Sequence, residues 1–147
     1  MDIESFQSFF GNKELLAKVI DCFPYPIQIY APDGTSVLVN KAMLAEYYAI
    51  SPDMIVGKYN IFKDPYIVAS GQLPVLKRAL KGETEFFSDV RVPLEDIAER
   101  YGIKDLDIIA AYQDITVFPI MDEEKRVIYI AGILINRRVY RGKDEIE

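Results

Sequence analysis

The sequence predicts an α+β domain, and three observations carry that prediction. Apolar residues recur at helical spacing near the start, a turn tripeptide joins two short runs of strand formers, and beyond Gly82 the period changes from helical to alternating. With 147 residues, half of them apolar, the chain is sized for one domain around one core.

In order, Phe6, Phe9, Phe10, Leu15, Leu16, Val19 and Ile20 fall mainly at helical spacing, interrupted by Gly11 and Asn12. This predicts a leading turn and then a helix over residues 13–22. Pro24 and Pro26 stop the helix and force an extended entry into Ile27-Gln28-Ile29-Tyr30-Ala31. Pro32-Asp33-Gly34 supplies a turn, Pro fixing φ and Gly accepting positive φ, so residues 35–39 form the second strand of a hairpin. Asn40 is placed to cap a helix running to about Tyr48, because its side-chain oxygen can accept from first-turn N–H groups. Ser51-Pro52 opens another short helix that Gly57 ends, and Asp64-Pro65 breaks the chain again. Residues 72–81 read as an amphipathic helix with Leu73, Leu76, Ala79 and Leu80 on one side and Gly82 as its stop.

Beyond Gly82, Phe86, Ser88, Val90 and Val92 alternate with Phe87, Asp89 and Arg91, a half-exposed strand closed by Pro93. Residues 94–107 return to helical composition, with Ile97, Ala98 and Tyr101 on one face and Gly102 at the stop, as an insertion between strands. Residues 108–121 and 127–136 are apolar and β-branched, and the polar stretch 122–126 joins them as a hairpin.

Composition narrows the function. Lys and Arg number 17 against 23 Asp and Glu, and the net charge of −6 repels polyanions, so no direct nucleic-acid contact by this segment is expected. Cys22, the one cysteine, cannot form an intramolecular disulfide, and its apolar helical setting predicts a buried thiol in a reducing interior. Met1-Asp2-Ile3-Glu4 is an acidic start, and no apolar run approaches the roughly 18 residues of a membrane span, so a soluble, cytoplasmic protein without membrane association is expected.

The element order, with Ile27-Gln28-Ile29-Tyr30-Ala31-Pro32-Asp33-Gly34 followed by Val37-Leu38-Val39-Asn40-Lys41-Ala42, resembles a PAS domain. Ile55-Val56-Gly57-Lys58 resembles the small helix and Gly that come next, and Gly132 sits where PAS domains often have Gly. The resemblance implies a five-stranded antiparallel sheet with short helices on one face and an N-terminal helix. It divides the chain into an N-terminal helical segment, 1–23, a sensor domain, 24–136, and a linker, 137–147. Many PAS domains end in an Asp-Ile-Thr hinge; this chain has Asn136-Arg137-Arg138, and its insertion 94–107 exceeds a minimal PAS connection. The tail from Asn136 resembles the joint between a PAS domain and an AraC-type helix-turn-helix region, which implies an output domain beyond residue 147 in a transcription regulator.

Chemistry is sparse. Histidine is absent, which removes the usual axial ligand of haem-binding PAS domains and the commonest general base. In flavin photosensors of the PAS superfamily a cysteine follows an Asn shortly beyond the Gly that matches Gly57; Gly57-Lys58-Tyr59-Asn60-Ile61-Phe62 has no thiol, so haem and covalent flavin photochemistry are both disfavoured. No phosphate-binding glycine loop and no nucleophile–base set is present, and the carboxylate pairs on polar loops are ordinary solvated acids. No catalysis and no metal are expected.

Aromatic residues either fill the core or line a cavity between sheet and helices. The ligand-binding reading selects Tyr30, Tyr59, Asn60, Phe62, Arg91 and Tyr112, with Gln113 a further polar contributor; strand phase leaves open whether Arg91 and Gln113 face inward. Phe6, Phe9, Phe10, Leu15, Leu16 and Val19 give the leading helix an apolar surface that pairs two subunits as a homodimer or packs on the sheet. The expected function is a sensory input domain binding a small molecule or mediating dimerisation. The alternatives are a ligand-free structural module and the sensor of a histidine kinase or diguanylate cyclase.

Overall fold

The computed structural model describes residues 13–45, 51–104 and 107–142. Phe6, Phe9 and Phe10, and the expected helical residues Tyr47 and Tyr48, lie outside them. Helix α1, Lys13–Cys22, leads into strands β1, Ile27–Tyr30, and β2, Ser36–Val39, and then helix α2, Lys41–Ala45. Two single 3-10 turns, Pro52–Met54 and Ile61–Lys63, precede helices α3, Pro65–Ala69, and α4, Leu73–Ala79. Strand β3, Glu85–Arg91, is followed by helix α5, Leu94–Tyr101, and the long hairpin of β4, Ile108–Met121, and β5, Val127–Arg141.

The strands form one sheet in the order β2-β1-β5-β4-β3, every neighbouring pair antiparallel. β5 therefore occupies the centre although it comes last in sequence. The β1–β2 turn closes with Ala31 N–H donating to Thr35 O at 2.8 Å, and Gly34 takes φ +94°, which glycine alone adopts cheaply. A Cβ at Gly34 would lie 2.6 Å from both Asn60 Oδ1 and the Phe62 ring, so the turn needs glycine for space as well.

Asn40 does more than cap α2. It is 1 % exposed; its Oδ1 accepts from Met43 N at 3.0 Å and Ile27 N at 2.9 Å, and its Nδ2 donates to the carbonyls of Ile20, Phe23 and Tyr25. One amide thus joins the end of α1, the start of β1 and the start of α2. α1 itself buries no residue, and Cys22 is exposed, which corrects the expected buried thiol: apolar spacing marked a helix whose apolar side is not covered within this chain's described residues.

Two bulges reset the faces of β3 and β5. Phe87 pairs with Ile115 and Val90 with Gln113, so β3 carries one extra residue there, and Asp89 has φ +59°. On the other side Asp114 pairs with Ile135 and Tyr112 with Arg138, so β5 also carries an extra residue, and Asn136 has φ +50°. Asp114 faces both: its Oδ1 accepts from Asp89 N and its Oδ2 from Asn136 Nδ2, each at 2.9 Å. The expected alternation of β3 is corrected accordingly. Phe87 and Val90 point to the helices whereas Phe86 is 75 % exposed, because the bulge inverts the parity between them.

β5 does not end at Asn136. It continues to Arg141, pairing Arg138, Val139, Tyr140 and Arg141 with the first residues of β4, which corrects the expected strand end at residue 136. The sheet's helical face buries two apolar clusters. One joins Val39, Ile55, Val92, Leu94, Ile108 and Ala111; the other joins Tyr30, Ile61, Leu76, Ala79, Val117 and Ile130. Tyr59 packs against both. Among the described residues no helix is long and apolar enough to cross a membrane.

Candidate functional site

A cavity of about 160 Å³ lies between the two clusters. Its floor is the sheet, through Gln28 and Tyr30 of β1, Gln113, Ile115 and Val117 of β4, and Gly132 and Leu134 of β5. Its roof comes from Ile55, Tyr59, Ile61, Leu76 and the inserted helix α5 through Ile97, Arg100 and Tyr101. Strand alternation explains the floor: residues 113, 115 and 117 are two apart and share a face.

Polar groups of the wall are tied to one another. Asp64 is buried; its Oδ1 caps α3 by accepting from Tyr66 N at 2.9 Å, and its Oδ2 accepts from the Tyr59 hydroxyl at 2.6 Å and from Arg100 Nη2 at 3.2 Å. The Arg100 guanidinium also lies over the Tyr59 ring, 5.0 Å from its centre. Burial pushes the Tyr59 hydroxyl far above the ordinary tyrosine range, with Tyr30 and Asp64 adding to the effect, so it stays a neutral donor. For Arg100, burial works against the charge, but the Asp64 carboxylate together with Tyr59 and Tyr101 outweighs it, and the guanidinium is held more firmly protonated than usual. Gln28 Nε2 donates to Ser36 Oγ at 3.0 Å, and the Tyr66 hydroxyl donates to the Arg91 carbonyl at 2.9 Å.

Gln113 differs from these. It is 6 % exposed, it lines the cavity, and its Oε1 is buried with no hydrogen-bond partner. A buried acceptor left without a donor costs roughly 1–3 kcal/mol. Such an acceptor is open to a water or ligand atom that enters the cavity.

Of the residues expected to bind ligand, Tyr30, Tyr59 and Arg91 line the cavity, Arg91 as an exposed residue. Asn60 and Phe62 do not. Asn60 accepts from Phe62 N at 2.9 Å and donates to Asp33 O at 3.0 Å, fastening a 3-10 turn to the β1–β2 turn, and Phe62 packs beside Gly34 and the second cluster. Tyr112 lies on the opposite face of β4, edge-on to Tyr140 at 6.2 Å and beneath Arg138. The parity that brings Gln113 inward turns Tyr112 outward. Leu16 and Val19 are exposed on α1 and Leu15 is half-buried.

Sequence reasoning did not single out Asp64 and Arg100 as a pair. They are 36 positions apart, and the only local signal was Asp before Pro at a helix start, which marks a cap.

No family model matches the chain, and no curated protein matches it significantly. Solved structures do. The PAS domain of BvgS from Bordetella pertussis superposes with a TM-score of 0.59 at 21% identity, covering 90% of this chain and 89% of that one. A domain of a sensory box sensor histidine kinase/response regulator from Geobacter sulfurreducens gives 0.58 at 16% identity, covering 92% and 98%. The PAS domain of an HTR-like protein from Haloarcula marismortui gives 0.55 at 14% identity, covering 95% and 100%. With its strand order, its helices on one face and these likenesses, the chain has the PAS fold.

Proposed function

We propose that this chain is a sensory input domain that takes a small molecule into the cavity between sheet and helices and relays its presence to an attached output unit. The observation that carries the reading is a space of about 160 Å³ between two core clusters, with a buried acceptor in its wall. A purely structural module favours the close packing of ordinary interiors, where voids larger than a water molecule are few. The relay has a candidate path in β5, which contributes Gly132 and Leu134 to the cavity and runs on to Arg141. A ligand biases such an element only by its difference in affinity between two states, and a few kcal/mol suffices. The basic exit segment supports a transcription regulator as the whole protein; a histidine kinase or diguanylate cyclase is the alternative. No step in this role needs catalysis.

Thermal unfolding against a panel of small metabolites, with native mass spectrometry, tests the reading. Bound ligand at a hundred times its Kd stabilises the domain by about 2.7 kcal/mol. Gly132→Val provides the control: a Cβ there meets only Gln28 O at 3.9 Å, so the side chain fits the strand but occupies the cavity. Stabilisation of the parent and none of the variant supports sensing; no ligand by either method favours the structural module.

A second reading concerns α1. Leu16 and Val19 are exposed on it, which supports pairing of two copies through this helix. Light scattering of the parent and of Leu16→Glu with Val19→Glu tests it: a dimer that the substitutions convert to monomer supports pairing, and an unchanged mass refutes it.

A further inference from the structure

We infer that the cavity's ligand is a neutral, single-ring molecule with one hydrogen-bond donor, of the phenol or aniline class, and that Gln113 Oε1 accepts from that donor. The inference rests on the cavity being a ligand site, as proposed above.

Size sets the first limit. The space is about 160 Å³, and a dry protein cavity of roughly 150 Å³ holds one benzene ring. Nucleotides, flavins and haem are far larger.

Charge sets the second. Asp64 and Arg100 are the oppositely charged pair in the wall, 3.2 Å apart, and Asp64 is further saturated by the Tyr59 hydroxyl and Tyr66 N. Arg91, the other charged residue in the lining, is exposed and solvated. A charged ligand would exchange water for a wall whose buried charges are already compensated, and the solvated Arg91 would offer it only a screened counter-ion.

Hydrogen bonding sets the third. Ile115, Val117, Gly132 and Leu134, which share the floor with Gln113, offer no side-chain donor. Gln28, on the same floor, already donates its Nε2 to Ser36 Oγ at 3.0 Å. A ring hydroxyl or amino group satisfies the Gln113 acceptor while the ring occupies the apolar remainder, so one molecule completes both features of the site.

Phenol and toluene differ by a hydroxyl in place of a methyl, which makes them the decisive pair. Affinities of both for the whole chain, measured by NMR titration, give a phenol-to-toluene ratio; the same ratio in Gln113→Met removes the acceptor and cancels the difference in transfer from water. The expected result is a ratio at least tenfold lower in the variant. In the parent chain the Gln113 side-chain carbonyl resonance should move with phenol and stay with toluene, a readout that does not depend on the variant's folding. If both rings bind but the ratio is the same in Gln113→Met and the carbonyl resonance responds to neither, the assigned ligand class is overturned while the cavity remains a binding site. If neither ring binds at millimolar concentration, the inference and the reading beneath it both fall.

Discussion

Arg100 holds its guanidinium 5.0 Å from the centre of the Tyr59 ring while its Nη2 lies 3.2 Å from Asp64 Oδ2. The inserted helix α5 is thereby fastened to the N-cap of α3 across the lining of the cavity. Asp64 serves both ends of this link, since the same carboxylate starts α3 and anchors α5.

Truncating the two partners should have unequal effects. Asp64→Ala removes a helix cap, worth ~1 kcal/mol, and leaves the buried Tyr59 hydroxyl without its acceptor, ~1–3 kcal/mol. A total loss of about 3 kcal/mol is expected in urea unfolding. Arg100→Met should cost about 1 kcal/mol, because the guanidinium is a third exposed and solvent screens the pair. Equal losses would contradict the double role of Asp64.

Tyr59 predicts a pH dependence whose sign follows from its environment. Its folded-state pKa is raised, chiefly by burial, so the stability it contributes is fully present below the ordinary tyrosine value of about 10 and is lost as pH rises beyond it. Above pH ~10 the parent should lose ~1.4 kcal/mol per pH unit relative to Tyr59→Phe, which has no proton to release. Parallel stability curves for the two proteins above that pH would refute the buried, neutral hydroxyl.

The bulge on β5 predicts the outcome of substitutions at Asn136. Its φ of +50° is tolerated by Asn, natural for Gly and strained for Ala. Asn136→Ala should cost about 1–2 kcal/mol, from strain and from the lost bond to Asp114, and Asn136→Gly should recover part of that loss. Chemical denaturation of the three proteins checks the order; Ala at least as stable as Gly would place position 136 in ordinary strand backbone.

At Gly34 both φ and space forbid a side chain, since a Cβ would meet Asn60 Oδ1 and the Phe62 ring at 2.6 Å. Gly34→Ala should lose at least ~2 kcal/mol. The companion Gly57→Ala also suffers positive φ, +78°, but meets nothing within 4 Å, and should lose only about 1 kcal/mol.

Local chemistry made much of this fold legible. The Pro32-Asp33-Gly34 turn, the cap at Asn40 and the stop at Gly102, with φ +64°, all lie where residue preferences put them. Inward and outward faces were less legible, because the parity of β3 and β5 depends on bulges that Asp114 holds from a third strand. That is why Phe86 could not be separated from Val90, nor Tyr112 from Gln113, by alternation alone. The reach of Asn40 was hidden for a related reason: its three carbonyl partners lie 15 to 20 positions upstream, and only the folded chain brings them together. The Tyr59, Asp64 and Arg100 link depends likewise on where the insertion helix docks.

Xenon is the most direct probe of the central claim, that a dry, ligand-sized space separates the sheet from its helices. Methyl resonances of the chain should be followed while dissolved xenon is raised. Saturable shifts at Ile61, Leu76, Ile115 and Val117, with none at exposed Leu16 and Val19, are the predicted result. Shifts that fail to saturate, or that are no larger at the cavity than on α1, would mean the interior is filled and would contradict a receptor role for this domain.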